Sequence, residues 1–138
     1  MCEQHFLRFV TTPEAIVEQL PWGAHEWLVR PGLVEAAQLQ LVRVTMPGGQ
    51  AHRFHRHPCL EEALYFLEGR AEQWVGRERR VLGPGDVAHV PRNEVHGTYN
   101  IFRERVVFLA ILSPAIFDGP ALIDVSDEEP WRSLRARA

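Results

Sequence analysis

The feature that most constrains the fold is a run of short apolar stretches set off by turn residues at regular intervals. Candidate strands read at 25–29, 37–46, 51–57, 62–68, 71–75, 77–82, 87–90, 95–100 and 105–112. The separators "RPG", "PGG", "GPGD" and "PRN" are turn formers, because proline fixes φ and glycine or asparagine accepts a left-handed backbone. Strands this short and this evenly spaced predict an all-β sandwich or barrel. One segment departs from the pattern. "TTPEAIVEQL" (11–20) predicts a short N-terminal helix, with Thr12 as its cap, Pro13 in its first turn and Glu14 at its positive end, and "PWG" to stop it. The tail "DVSDEEPWRSLRARA" has Ser126 and Glu129 spaced as a capping box and predicts a last helical turn or a frayed end.

With 138 residues the chain has the size of one domain, 1–138, and needs no disulfide or metal staple to close a core. A hydrophobic fraction of 46% excludes global disorder. The net charge of −3 argues against general affinity for nucleic acid. All basic residues are arginine, which is read as genome bias. The two cysteines, Cys2 and Cys59, form no disulfide framework and suit a reducing compartment. "MCEQHFLRFV" lacks the basic start and apolar run of a signal peptide, and no stretch spans a bilayer, so the expectation is a soluble cytoplasmic protein. No glycine-rich loop with lysine and no GxSxG occurs, which sets aside phosphate-cradling and serine-hydrolase chemistry.

Chemistry concentrates in "HRHPCLEEALYFLEG" (55–69). His55 and His57 lie two apart and share a strand face. Pro58 turns the chain, and one of Glu61 and Glu62 can swing back toward the imidazoles. A strand starting at Glu62 puts that carboxylate on the face of Leu64 and Phe66, the interior, where a charge is costly unless it is paired or bound to a metal. Glu61 then faces solvent or an arginine. His52 is an odd number of positions from both histidines, so a regular strand points it away and only a bulge would bring it in. A third histidine is available at His96, after the turn "PRN".

The first stretch, "GGQAHRFHRHPCLEEALYFLEG", resembles the first motif of the cupin family, G(x)5HxH(x)3–4E(x)6G, with Gly49, His55, His57, Glu62 and Gly69 in place. "GDVAHVPRNEVHGTYN" is similar to the second motif, G(x)5PxG(x)2H(x)3N, with Gly85, Pro91, His96 and Asn100 matching. Asn93 stands where the family has glycine, and asparagine tolerates the left-handed backbone that the turn needs. The resemblance implies a jelly-roll barrel with its core at 37–112, an N-terminal extension at 1–36 and a tail at 113–138. It implies the metal ligands His55, His57, Glu62 and His96 around one divalent ion per chain. It also implies a homodimer formed through sheet edges and the N-terminal segment.

Three imidazoles and a carboxylate without thiolates suit Fe, Mn, Ni, Co or Zn. Two coordination positions left open favour a small molecule that is anionic or rich in oxygen. His52, Phe66 and His89 are further candidates for the pocket or the layer behind the ligands. His5 and His25 carry no signal, and Cys59 lacks an activating partner. Trp22, Trp27, Trp74, Tyr99 and Phe108 are expected in the core or at the mouth. The expected function is a metal-dependent enzyme of dioxygenase or isomerase/lyase type. The alternative is a non-catalytic small-molecule binding or sensor protein; only its transcriptional-sensor version is weakened, because no helix-turn-helix is expected beside the barrel. Nucleic acid and membrane are not expected partners.

Overall fold

The computed structural model describes residues 5–135. Its strands are β1 (Ile16–Leu20), β2 (Gly23–Val29), β3 (Gln40–Met46), β4 (Ala51–Arg56), β5 (Glu61–Glu68), β6 (Ala71–Val75), β7 (Glu78–Leu82), β8 (Val87–Val90), β9 (His96–Tyr99), β10 (Val106–Ser113) and β11 (Ile123–Asp124). They form a six-stranded sheet, β1-β2-β3-β10-β5-β8, and a five-stranded sheet, β11-β4-β9-β6-β7, each antiparallel throughout. This is the all-β jelly-roll barrel that the strand spacing and the motifs predict.

Alternation along the strands builds the core. On β3, Val42, Val44 and Met46 point inward; on β5, Leu64 and Phe66; on β10, Phe108, Ala110 and Leu112. Phe66 is fully buried, which contributes roughly 1.5–3 kcal/mol for a side chain of this type. A second apolar cluster lies on the other side of the five-stranded sheet. Phe54, Trp74, Tyr99 and Val125 pack there beneath Ile123, Trp131 and Leu134. The short helix α1 (Trp131–Leu134) therefore covers the back of the sheet that carries two of the histidines. Arg135 fastens it: its guanidinium sits 4.0 Å over the Tyr99 ring, and its Nε donates to Glu72 Oε1 at 2.8 Å.

The expected helix over 11–20 is not formed. A single 3-10 turn, Thr12–Glu14, is capped by Thr11 rather than Thr12, and residues 16–20 become β1. Pro13 and the Glu14 carboxylate fix only that first turn. Beyond it, pairing of β1 with β2 across the two-residue turn Pro21–Trp22 supplies backbone hydrogen bonds in a sheet register. Ser126 does not cap α1 either, because its amide and hydroxyl donate to Asp124 Oδ1 at 2.8 and 2.6 Å.

Two backbone positions show why the motif residues matter. Gly69, between β5 and β6, has φ +70°, and a Cβ there would collide with the Arg105 carbonyl. Asn93 has φ 66°, the left-handed conformation expected where the family places glycine. Its amide donates to His57 O at 3.0 Å, and its side chain accepts from Arg56 at 2.8 Å, so this turn grips the chain beside a candidate ligand. Asn100 is buried; its Nδ2 donates to the carbonyls of Met46 and Glu104, and its Oδ1 accepts from Phe102 N.

Candidate metal centre

His55 lies near the end of β4, His57 just after it, Glu62 on the second residue of β5, and His96 on the first of β9. All four are buried, and one ligand atom from each falls within 4.8 Å of all the others. Strand register brings them together: His55 pairs with His96 across β4 and β9. Glu62 shares the inward parity of Leu64 and Phe66.

Each imidazole is held by its far nitrogen. His55 Nδ1 meets Arg53 O at 2.6 Å, His57 Nδ1 meets Ala121 O at 2.8 Å, and His96 Nδ1 meets Glu94 O at 3.0 Å. A carbonyl only accepts, so every Nδ1 carries the proton and every Nε2 presents a lone pair to the centre. His96 Nε2 lies 2.8 Å from Glu62 Oε1, and His57 Nε2 lies 3.5 Å from it. Glu62 Oε1 and His96 Nε2 are buried and make no hydrogen bond of acceptable geometry. Two lone pairs facing each other in a dry interior are satisfied by a cation between them. Donors about 2.1 Å from one ion and at right angles lie about 3.0 Å apart, so the residues fit a divalent metal.

The electrostatics prepare the same outcome. Burial, reinforced by the neighbouring imidazoles, holds His55 and His52 well below the usual histidine range, which keeps them neutral. Burial also lowers His57, but the Glu62 carboxylate and the Ala121 carbonyl outweigh it and raise the group overall. Burial pushes Glu62 up, yet a proton on Nε2 of His57 or His96, facing it where a metal ion would otherwise sit, holds its carboxyl far below the usual carboxylate range. The centre is thus three imidazoles around a persistent anion.

The ligands stand in the wall of a cavity of about 680 Å³. Trp22, Trp27, Val44, Leu64, Phe108 and Phe117 give it a largely apolar surface. Among the described residues, the lining includes the further carboxylates Glu18 and Asp124, Arg53 as its one arginine, and no cysteine, serine or lysine.

The remaining candidates separate. His52 lines this cavity, because β4 does bulge. His52 pairs with Thr98 and His55 with His96, so Arg53 and Phe54 together oppose Gly97 alone. The Phe54 amide freed by the bulge donates to the Tyr99 hydroxyl at 3.1 Å. Gly97 leaves room, since a Cβ there would sit 2.9 Å from the Tyr99 ring and 3.2 Å from Phe54 N. Phe66 lies in the core, off the cavity lining, with its ring 5.4 Å from Phe108. His89 is exposed on the outer face of β8, where its Nε2 pairs with Glu61 at 2.6 Å. Glu61 therefore takes a histidine partner rather than an arginine. Cys59 Sγ donates to Asp118 O at 3.1 Å and does not line the cavity.

Trp22, expected in the core or at the mouth, lines the cavity, whereas His25 is a wall residue that the sequence does not mark, because the β1–β2 hairpin delivers it from a segment with the pattern of a helix. Sequence reasoning also left Phe117, Ala121 and Asp124 in an unassigned tail, although Ala121 O holds His57.

Comparison with known proteins gives the family. The model of the cupin domain matches residues 42–112, just over half of the chain. This chain is a cupin. A curated relative, the uncharacterized protein MJ1618 of Methanocaldococcus jannaschii, is 28% identical over 74 residues, 54% of this chain; the match spans 59% of that protein's length. The structure of DMSP lyase DddQ from Ruegeria pomeroyi superposes with a TM-score of 0.70 at 24% identity, covering 83% of this chain and 62% of that one. A predicted oxalate decarboxylase from Thermotoga maritima superposes with a TM-score of 0.68 at 20% identity, covering 76% of this chain and 97% of that one. Both likenesses are of fold. No described helix of this cupin is long and apolar enough to cross a membrane.

Proposed function

We propose that this cupin is a metal-dependent enzyme acting on a small organic molecule that binds the ion through oxygen, by dioxygenase or isomerase/lyase chemistry. The observation that carries the reading is the convergence of His55, His57, Glu62 and His96 on one point in the wall of an apolar cavity large enough for a small ligand. A divalent ion held there supplies Lewis acidity or, with a redox metal, oxygen activation. The chain's own residues do the rest. The Nδ1 anchors fix three imidazole rings so that their lone pairs need no reorganisation. Glu62 lowers the charge of the centre by one unit. Val44, Leu64 and Phe108 exclude water and strengthen the electrostatic terms inside. Among the described residues the lining holds no cysteine or serine, and its one threonine, Thr98, donates its hydroxyl to Gln73 and has no adjacent base, which favours chemistry centred on the ion. Two fold neighbours, a lyase and a predicted decarboxylase, support the same direction.

The test is a panel of hydroxy acids, keto acids, uronates and diketones, offered to fully metallated protein with and without oxygen. Turnover of one class is expected, with Glu62→Gln losing it even when saturated with metal. Tight binding of one compound with no turnover under any metal would replace the enzyme reading with a binding or sensor role. The same reading includes a homodimer. Its support is the apolar exposure of the edge strands of the six-stranded sheet, with Val17 65% and Val87 59% exposed. A monomer by light scattering at micromolar concentration refutes it.

A further inference from the structure

The bulge in β4 places His52 in the cavity, a histidine beside the metal centre that is not one of its candidate ligands. His52 stacks on His55 with ring centroids 3.6 Å apart and planes inclined by 13°. Trp22 stacks on it at 4.2 Å and 18°. Both faces of the His52 ring are therefore covered by aromatic rings, and only its edge is free. That edge carries the two nitrogens. Neither makes a hydrogen bond among the described residues, and the ring lines the cavity. An imidazole fixed in plane, with an unpartnered edge, one ring thickness from a candidate ligand, is arranged to meet whatever lies beside the ion.

We propose that His52 is a specificity-determining residue: its ring edge hydrogen-bonds an uncharged hydroxyl or carbonyl oxygen of the substrate, next to the oxygens that chelate the ion. This inference rests on the metal-centre reading given above.

The surroundings decide between an uncharged oxygen and a second carboxylate. Among the described residues, the one arginine in the lining is Arg53, which is exposed, against the carboxylates of Glu18 and Asp124. A neutral imidazole both donates and accepts one hydrogen bond, which suits a hydroxyl or a carbonyl. The preferred ligand thus has a chelating oxygen pair, a neutral polar oxygen adjacent to it and an apolar remainder that fills the Trp27–Phe108 side of the cavity.

The experiment uses nickel-loaded protein, its metal content measured by elemental analysis, and two probes titrated anaerobically by calorimetry. Catechol offers a chelating pair of oxygens; pyrogallol offers the same pair with one further hydroxyl beside it. His52→Phe keeps an aromatic ring in the stack and removes the polar edge. The wild type is expected to prefer pyrogallol, and the preference should shrink about five- to tenfold in His52→Phe while catechol affinity holds, the effect of one neutral hydrogen bond. His52→Gln should restore part of it. A merely structural role for His52 would move both probes together. If His52→Phe does not hold nickel, His52→Leu gives the same comparison without a polar edge. A pyrogallol preference unchanged within about twofold overturns the inference while the metal reading stands. Failure of the wild type to bind nickel overturns the metal reading, and this inference with it.

Discussion

Replacing Glu62 with Gln separates the cost of an ion site from its benefit. The substitution keeps the shape of the side chain and removes one negative charge from a centre where Oε1 lies 2.8 Å from the His96 lone pair. Loss of a charged ligand should weaken metal binding by at least about 100-fold, the upper end of what even a residue behind the ligands causes. At free metal about 1,000 times the wild-type Kd, binding stabilises the wild type by about 4.1 kcal/mol; the variant then sits at about 10 times its own Kd and gains about 1.4 kcal/mol. The difference is about 2.7 kcal/mol. An unfolding entropy of about 2.1 cal/mol/K per residue over a chain of this size turns that into a gap of about 9 °C in Tm. Without metal the order changes. The variant exchanges a buried carboxylate for an amide whose N–H can donate to His96 Nε2, so its metal-free Tm should lie within about 3 °C of the wild type or above it. Differential scanning fluorimetry with chelator and with added Ni(II) or Zn(II) reads both numbers. Equal metal-induced shifts in the two proteins would refute the placement of Glu62 on the ion.

Three further outcomes follow from the fold around the site. Tyr99→Phe removes the acceptor of the Phe54 amide at the bulge and should cost about 1–3 kcal/mol in urea unfolding, the penalty of a buried donor left without a partner. Gly69→Ala places a methyl group against the Arg105 carbonyl at a φ of +70°, and should cost more than the roughly 1 kcal/mol of an ordinary glycine replacement; a neutral result would contradict the turn geometry. His25 is lowered by burial, against the opposing pull of Glu18 and the Gly23 backbone, so the unfolded chain takes its proton first as the pH falls. Stability from this group is complete above about pH 6.5 and declines below it, by at most about 1.4 kcal/mol per pH unit. Chelated His25→Phe should therefore lose less stability than chelated wild type between neutral pH and pH 5.

The parts of the fold and site that were legible in the sequence are those whose information is local. His55, His57 and Glu62 lie within eight positions of one another, and strand parity with one turn suffices to converge them. Asn93 marks its own turn by residue type. What was not legible depends on contacts between distant segments. Residues 16–20 have the composition of a helix or a strand, and pairing with β2 decides. Parity sends His52 outward, whereas the bulge that reverses it is set by Gly97 and the Tyr99 hydroxyl more than forty residues away. His89 has the inward or outward choice of any strand residue, and the register of β8 on β5 puts it beside Glu61. The tail gives little periodic signal. Even so, Ala121 orients His57, and Trp131 closes the cluster behind Phe54.

The central claim is that four side chains from three strands and one turn hold a divalent ion. Elemental analysis of the chain purified without added metal tests it most directly. The account predicts about one divalent transition metal per chain in the wild type, and loss of it in His57→Ala, which opens a gap among the ligands. Protein that remains metal-free after exposure to Fe, Mn, Ni, Co and Zn in turn, or metal retained in full by His57→Ala, would contradict it.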